Sequence, residues 1–148
     1  MTDFSLETEF NLAHIPRHIP IELKEALDET IIPQVADTSK NYLFSTLWTI
    51  ISKQDNAMVG DICITGEPNV SGQIEIGYGT YEAFRNQGYM TEAVGAIMQW
   101  AKSIEEVKSI LAITEKSNIA SQAILIKNQF QQFHDTETLI HWTYEIKK

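Results

Sequence analysis

Apolar positions in this chain recur with two different spacings, and the points where one gives way to the other mark out its elements. The runs "STLWTIISK" and "AMVGDICITG" are β-rich and are separated by the turn signal "QDNA", which predicts an antiparallel hairpin. After the turn "GEPNVSG", the run "QIEIGYGTY" alternates. Ile74, Ile76 and Tyr78 take one face, and Glu75, Gly77 and Gly79 take the other. The two glycines either leave that second face open to the close approach of a ligand or backbone, or are a packing adjustment only. From Met90 the spacing becomes helical, with Met90, Ala93, Val94, Ile97, Trp100 and Ala101 forming an apolar stripe that belongs to the core. "VKSILAIT" then reads as a buried strand, "NIASQAILIKN" as a helix begun by Asn118, and "FQQF" with "LIHWTYEI" as a closing hairpin. Upstream, Pro16, Pro20 and Pro33 punctuate the first 33 residues into short pieces. Between them "PIELKEALDETI", with Ile21, Leu23, Leu27 and Ile31 at near-helical spacing, predicts a short amphipathic helix. The predicted order is β-β-β-α-β-α-β-β after a helical lead-in.

Composition narrows the class. A chain of 148 residues is the size of one domain that buries about 70% of its unfolded surface, with no need of disulfides or metal. The lone Cys63 forms no internal disulfide, and the absence of CxxC, HExxH or a Cys/His cluster leaves metal chemistry without ligands. A reducing cytoplasm is the expected compartment. The start "MTDFSLETEFNLAH" has neither a basic leader nor a continuous apolar stretch, so a soluble protein is expected. The formal charge of −9, from 11 Lys+Arg against 20 Asp+Glu, repels nucleic acid and anionic membranes and draws in cationic molecules. The expected partner is therefore an amine, with no nucleic acid and no membrane; acidity that merely keeps the protein soluble is the plainer alternative.

The stretch "FRNQGYMTEA", Phe84 to Ala93, joins an alternating run to a helical one. At such a junction the first backbone N–H groups of the helix lack intrahelical partners and the helix dipole adds partial positive charge, which favours an anion. Gly88 would let the backbone curl so that several N–H groups converge, and Arg85 would add a charged fork for a phosphate; a tight turn into the helix and nothing more is the plainer alternative. Neither GxxxxGK[ST] nor GxGxxG is present, so the phosphate is not that of a P-loop nucleotide or a dinucleotide.

Arg85-Asn86-Gln87-Gly88-Tyr89-Met90 resembles the acetyl-CoA-binding motif of the GNAT superfamily of N-acetyltransferases, and "EIGYGTYEAF" looks like the strand that leads into it. "SNIASQAILIKNQF" is similar to the superfamily's second signature, an Asn at the start of a helix that ends in a Gly-Phe pair. The spacing of Asn118 and Ser121 looks most like the branch that acetylates ribosomal-protein amino termini. The resemblance implies that the backbone of Arg85, Asn86, Gln87, Gly88, Tyr89, Met90 and Thr91 cradles the CoA pyrophosphate. It implies that Tyr78, Gly79, Thr80 and Tyr81 run beside the pantetheine arm, with Asn118 bonding the arm or its neighbourhood as well as capping its helix. Three positions depart from the pattern. Met90 stands where Gly or Ala is usual, so its side chain must point away from the pyrophosphate. Gln129 stands where a glycine precedes Phe130, and Leu125 where many relatives carry a tyrosine that protonates the leaving thiolate.

Acetyl transfer needs a neutral amine, a polarised thioester carbonyl and a proton for the departing thiolate. Glu75 is the candidate base, with His134, His141 or water as rivals and a cross-strand ion pair as its structural alternative. Ser121, which the resemblance places near the sulfur, is the candidate acid, unless it only bonds its own backbone. Glu22, Glu25, Asp28 and Glu29 either line an entrance for a cationic acceptor or form a solvated helix face. Trp48, Trp100 and Trp142 read as core or interface aromatics, and Cys63 as a small buried hydrophobe. The resemblance implies a three-layer α/β/α domain around a mixed, mostly antiparallel twisted sheet splayed between its fourth and fifth strands. Residues 1–148 form one domain, with 1–40 an atypical helical lead-in and 41–148 the cofactor-binding core. The expected activity is acetyl-CoA-dependent N-acetyl transfer to a small-molecule or peptide amine by direct attack in a ternary complex. A catalytically inactive CoA-binding regulatory module and a scaffold that binds neither are the rivals, and a homodimer that completes the acceptor pocket is left open.

Overall fold

A computed structural model describes residues 4–15 and 19–148; Pro16 therefore lies outside the described residues. In chain order the elements are α1 (Phe4–Glu9), α2 (Ile21–Ala26), a π-helical turn (Leu27–Ile31), α3 (Ile32–Ala36), a 3-10 turn (Tyr42–Phe44), β1 (Leu47–Ser52), β2 (Ala57–Ile64), β3 (Gln73–Thr80), a second 3-10 turn (Glu82–Phe84), α4 (Tyr89–Lys102), β4 (Ser109–Glu115), α5 (Ile119–Lys127), β5 (Gln131–Asp135) and β6 (Leu139–Glu145). The predicted alternation of strands and helices is thus the observed one from Leu47 onward.

The six strands form one open sheet in the order β1-β2-β3-β4-β6-β5. Every neighbouring pair is antiparallel except β3 with β4. That parallel ladder runs only from Gln73↔Ser109 to Ile76↔Ala112. Each strand continues on its other side, β3 against β2 as far as Thr80 and β4 against β6 as far as Glu115. Beyond Ile76 and Ala112 the two strands part. The opening therefore lies between the third and fourth strands of this chain rather than between the fourth and fifth. β4 and β5 are not neighbours, and among the described residues no strand forms ahead of Leu47, which moves the count by one.

The core follows from the alternation. Ile62, Ile64, Ile74, Ile76, Ile110, Ala112, Ile140 and Trp142 share one cluster with Met90, Val94, Ile97 and Ala101 of α4 and Leu125 of α5. Each large apolar side chain buried there contributes about 1.5–3 kcal/mol relative to exposure. Trp48 and Trp100 pack against this cluster with ring centroids 5.3 Å apart. The other faces of the same strands carry Cys63, Glu75, Leu111 and His141, all half-buried.

The lead-in behaves differently from its pattern. The predicted amphipathic helix forms, yet no residue from Ile21 to Ala36 is buried. Pro33 does not end it. Proline has no N–H to give to the carbonyl four residues back, and the chain absorbs that loss in the π turn, where the Ile32 N–H reaches Leu27 O, five residues back. Among the described residues, no helix is long and apolar enough to cross a membrane.

Candidate active site

The loop between β3 and α4 is held from both sides. Phe84, buried in the 3-10 turn, anchors its start. The Arg85 side chain donates through Nε to Thr80 O (3.2 Å), and Gln87 Nε2 donates to Ala83 O (3.2 Å). Asn86 and Gly88 take positive φ values of 61° and 84°, so the backbone curls twice within three residues. A Cβ built on Gly88 would meet nothing within 4 Å, so the backbone angle, not crowding, calls for glycine here. Gly88 is the N-cap of α4 and has no side chain to cap with. The ladder of α4 starts with Glu92 N–H to Gly88 O, so the N–H groups of Tyr89, Met90 and Thr91 are left without intrahelical acceptors. Met90 turns its side chain into the core and is only 3% exposed, which removes the conflict expected at that position.

A latch fixes the mouth of this loop to the β1–β2 hairpin. The Tyr89 hydroxyl donates to Asp55 Oδ2, Ser52 Oγ donates to the same oxygen (2.8 Å), and the Asp55 N–H donates to Ser52 Oγ (3.1 Å). The bonds from Tyr89 and then Ser52 hold the Asp55 carboxyl below its ordinary range.

Helix α5 forms the opposite wall. Asn118 caps it, its Oδ1 accepting from Ser121 N–H at 3.0 Å. Ala120, Ala123, Ile124 and Lys127, spaced as one helical face, line the same cleft as Tyr78, Gly79, Thr80 and the Phe84–Thr91 loop; together they enclose about 550 Å³. Asn128, just past the helix, donates to Thr91 O (3.1 Å) and ties α5 to α4. A slightly larger concavity, about 630 Å³, lies at the other end of β3 beside Gly72 and Lys108, and holds none of the motif residues.

The register of β3 decides which of its backbone groups face the cleft. Thr65 N–H bonds to Glu75 O and Tyr81 N–H to Val59 O, so odd-numbered residues of β3 spend their polar groups on β2. Even-numbered residues face β4, and beyond Ile76 that side has no partner strand. Tyr78 and Thr80 therefore present backbone groups to the slot, Thr80 O being engaged by Arg85. Gly79 lines the cleft with open space where a Cβ would stand. The Tyr81 hydroxyl instead bonds Asp61 Oδ2 on β2 (2.8 Å).

Of the candidates for proton transfer, Ser121 lines the cleft, whereas Glu75, His134 and His141 do not. His134 and His141 face each other across the β5–β6 pair, with ring centroids 5.1 Å apart. Leu125 is fully buried in the core and does not line the cleft. A phenol does reach Ser121 from the other wall. Tyr78 Oη lies 3.0 Å from Ser121 O and 2.9 Å from Ser121 Oγ. Burial pushes the Tyr78 hydroxyl pKa up, partly offset by the Ser121 bond. Lys127 also escaped the motif reading; its signal was its place in the series Ala120, Ala123, Ile124. Burial, with the charges of Asp61 and Glu75 nearby, raises the Cys63 thiol pKa; the residue is half-buried rather than the fully buried hydrophobe expected. The acidic side chains of the lead-in, Glu22, Glu25, Asp28 and Glu29, are exposed and stand outside the cleft.

A family model described as an acetyltransferase (GNAT) domain matches residues 8–131. The uncharacterized N-acetyltransferase YjdG of Bacillus subtilis (strain 168) is 37% identical over 100 residues, which cover 68% of this chain and 60% of that protein. The chain thus matches about three fifths of the length of its curated relative. Among solved structures, Campylobacter jejuni N-acetyltransferase PseH in complex with acetyl coenzyme A has a TM-score of 0.61 at 17% identity, covering 86% of this chain and 82% of that one. RimL, a ribosomal α-N-protein acetyltransferase in complex with coenzyme A, has a TM-score of 0.57 at 20% identity, covering 62% and 58%. At these identities the two structures share the fold.

Proposed function

Since the chain belongs to the GNAT acetyltransferase family, we propose that it moves an acetyl group from acetyl-CoA to a primary amine by direct attack in a ternary complex. One observation carries this reading: the slot left where β3 and β4 part opens into the same cleft as the uncapped start of α4. A group with an amide-bearing arm and a pyrophosphate fits those two features together.

The residues present suit such a group. The N–H groups of Tyr89, Met90 and Thr91 hold the pyrophosphate, with Asn86, Gln87 and Gly88 shaping the loop. Arg85 and Lys127, on opposite walls of a chain whose net charge is −9, are the cations that offset phosphate charge. The slot-facing backbone of Tyr78 and Thr80, beside Gly79, pairs with the amides of the arm as an added strand would. Tyr81 supports that edge through Asp61, and Asn118 steadies the facing helix.

When bound, acetyl-CoA supplies an acetyl carbon already activated by its thioester. Glu75, on the far side of β3 from the helices, takes the proton that the amine nitrogen must lose, through water. As the C–N bond forms and the C–S bond breaks, the Ser121 hydroxyl turns from Tyr78 Oη to give its proton to the sulfur, and the proton taken up by Glu75 returns to Ser121 through water. The acceptor is a small-molecule or peptide amine, and the negative charge of the chain favours a cationic one. Residues 41–148 serve as the cofactor-binding core and the lead-in before them borders the acceptor side, in a protein whose unpaired thiol suits the cytoplasm.

The test is CoA release from acetyl-CoA in the presence of peptide amino termini, a polyamine, an amino sugar and an amino acid. Release with one class and not the others fixes the acceptor. Folded protein that binds acetyl-CoA and releases no CoA with any of them would be a binding module and not an enzyme.

A further inference from the structure

Past Ile76, β3 has no strand on its cleft side, and the hydrogen bonds that cross from it to α5 are the two between Tyr78 and Ser121. They run in opposite senses. Tyr78 has one proton, and it goes to the Ser121 carbonyl; the Ser121 hydroxyl proton therefore points at Tyr78 Oη. The ring of Tyr78 packs against the main core while its hydroxyl stands in the cleft wall, so its position is set by packing on one side and by Ser121 on the other. The pair of bonds uses the protonated phenol, whose pKa burial raises further.

We propose that Tyr78 is the positioning residue of the slot: through Ser121 it sets the separation of β3 from α5 and aims the Ser121 hydroxyl. It acts where the sheet ladder no longer can. The inference rests on the reading that the slot receives the arm of acetyl-CoA.

The two partners are not equivalent, and this makes the proposal testable. Tyr78→Phe keeps the packed ring and removes both bonds. Ser121→Ala removes only the bond from its own side chain, because its carbonyl remains. Titration calorimetry of the wild type, both single variants and the double variant would use two probes, acetyl-CoA and 3′-phosphoadenosine 5′-diphosphate, which ends before the arm begins. Tyr78→Phe should weaken acetyl-CoA about tenfold and Ser121→Ala about threefold, with the double variant no worse than Tyr78→Phe. The shorter probe should stay within about twofold throughout.

Unchanged acetyl-CoA affinity in Tyr78→Phe would overturn the proposal. So would a larger loss in Ser121→Ala than in Tyr78→Phe, which would mean that Ser121 acts without its partner. Equal weakening of both probes would show general loosening and overturn it as well. Should Tyr78→Phe fail to fold, Ser121→Ala decides between a threefold loss confined to acetyl-CoA and no such loss. Wild-type protein that does not bind acetyl-CoA would overturn the cofactor reading and this inference together, and that outcome appears before any substitution is made.

Discussion

The two halves of β3 have the same backbone and opposite tasks. From Gln73 to Ile76 the strand is paired with β4, its other edge meeting β2 from Ile76 onward and Thr65 and Asn69 before it, and Ile74 and Ile76 are 2% and 3% exposed. From Gly77 to Thr80 it is paired with β2 alone, and its side chains are two glycines, a half-buried tyrosine and a threonine. The first half spends its polar groups on β4 and on Thr65 and Asn69 of the preceding connection, and fills the core. The second leaves polar groups facing a slot and leaves out the side chains that would fill it. Core packing and the proposed binding slot are thus separated along eight residues of one strand, and a change in either half should be felt mainly in its own property.

Ile74→Ala should break the paired half hardest. A fully buried Ile truncated to Ala costs about 2–5 kcal/mol, so denaturant unfolding should shift by that amount while the folded protein keeps its acetyl-CoA affinity. If affinity fell in parallel, the two halves would not be separable. Gly88→Glu attacks the loop that the open half leads into. It places a carboxylate where the pyrophosphate is proposed to sit and forces a non-glycine residue to a φ of 84°. Acetyl-CoA affinity should fall about a hundredfold, about 2.7 kcal/mol, with a much smaller loss of stability. Unchanged affinity in calorimetry would move the phosphate elsewhere.

The Asp55 latch sharpens the contrast through pH. Because the native Asp55 pKa is lowered, chiefly by Tyr89, its contribution is complete above the unfolded value of about 3.9 and is lost as pH falls through the lowered native value. Asp55→Asn should therefore melt earlier than wild type at pH 7, with the gap closing below about pH 4. A gap that stays constant into acid would mean that the latch does not report on the carboxylate. The smallest effect is expected at Gln129, whose φ of 67° follows the end of α5. Gln129→Gly should raise stability by about 0.5–1 kcal/mol in a thermal melt and leave binding unchanged.

Gln129 also shows how sequence and structure divided the work. The departure from glycine was visible as a letter, and its cost becomes physical only with the left-handed backbone that the helix end imposes. The order of strands and helices was legible because apolar spacing reflects which face each element buries: Ile74, Ile76 and Tyr78 fell on one side as their alternation required. The glycine loop was legible because a positive φ before a helix start calls for Gly. Pro33 misled because a proline removes one N–H without dictating how the helix compensates, and here a π turn absorbs it.

The amino-acid sequence by itself determined the order of strands and helices from Leu47 onward, the composition of the core and the place of the glycine turn ahead of α4. These depend on spacing and on intrinsic backbone preference, which act between near neighbours. Only the tertiary structure decided that β3 lies beside β4 and then leaves it, that Lys127 shares a cleft with Arg85, and that Tyr78 meets Ser121, 43 positions away. Those depend on where the sheet ladder ends and on which helix packs beside the gap, and such distances through space leave no period in the chain.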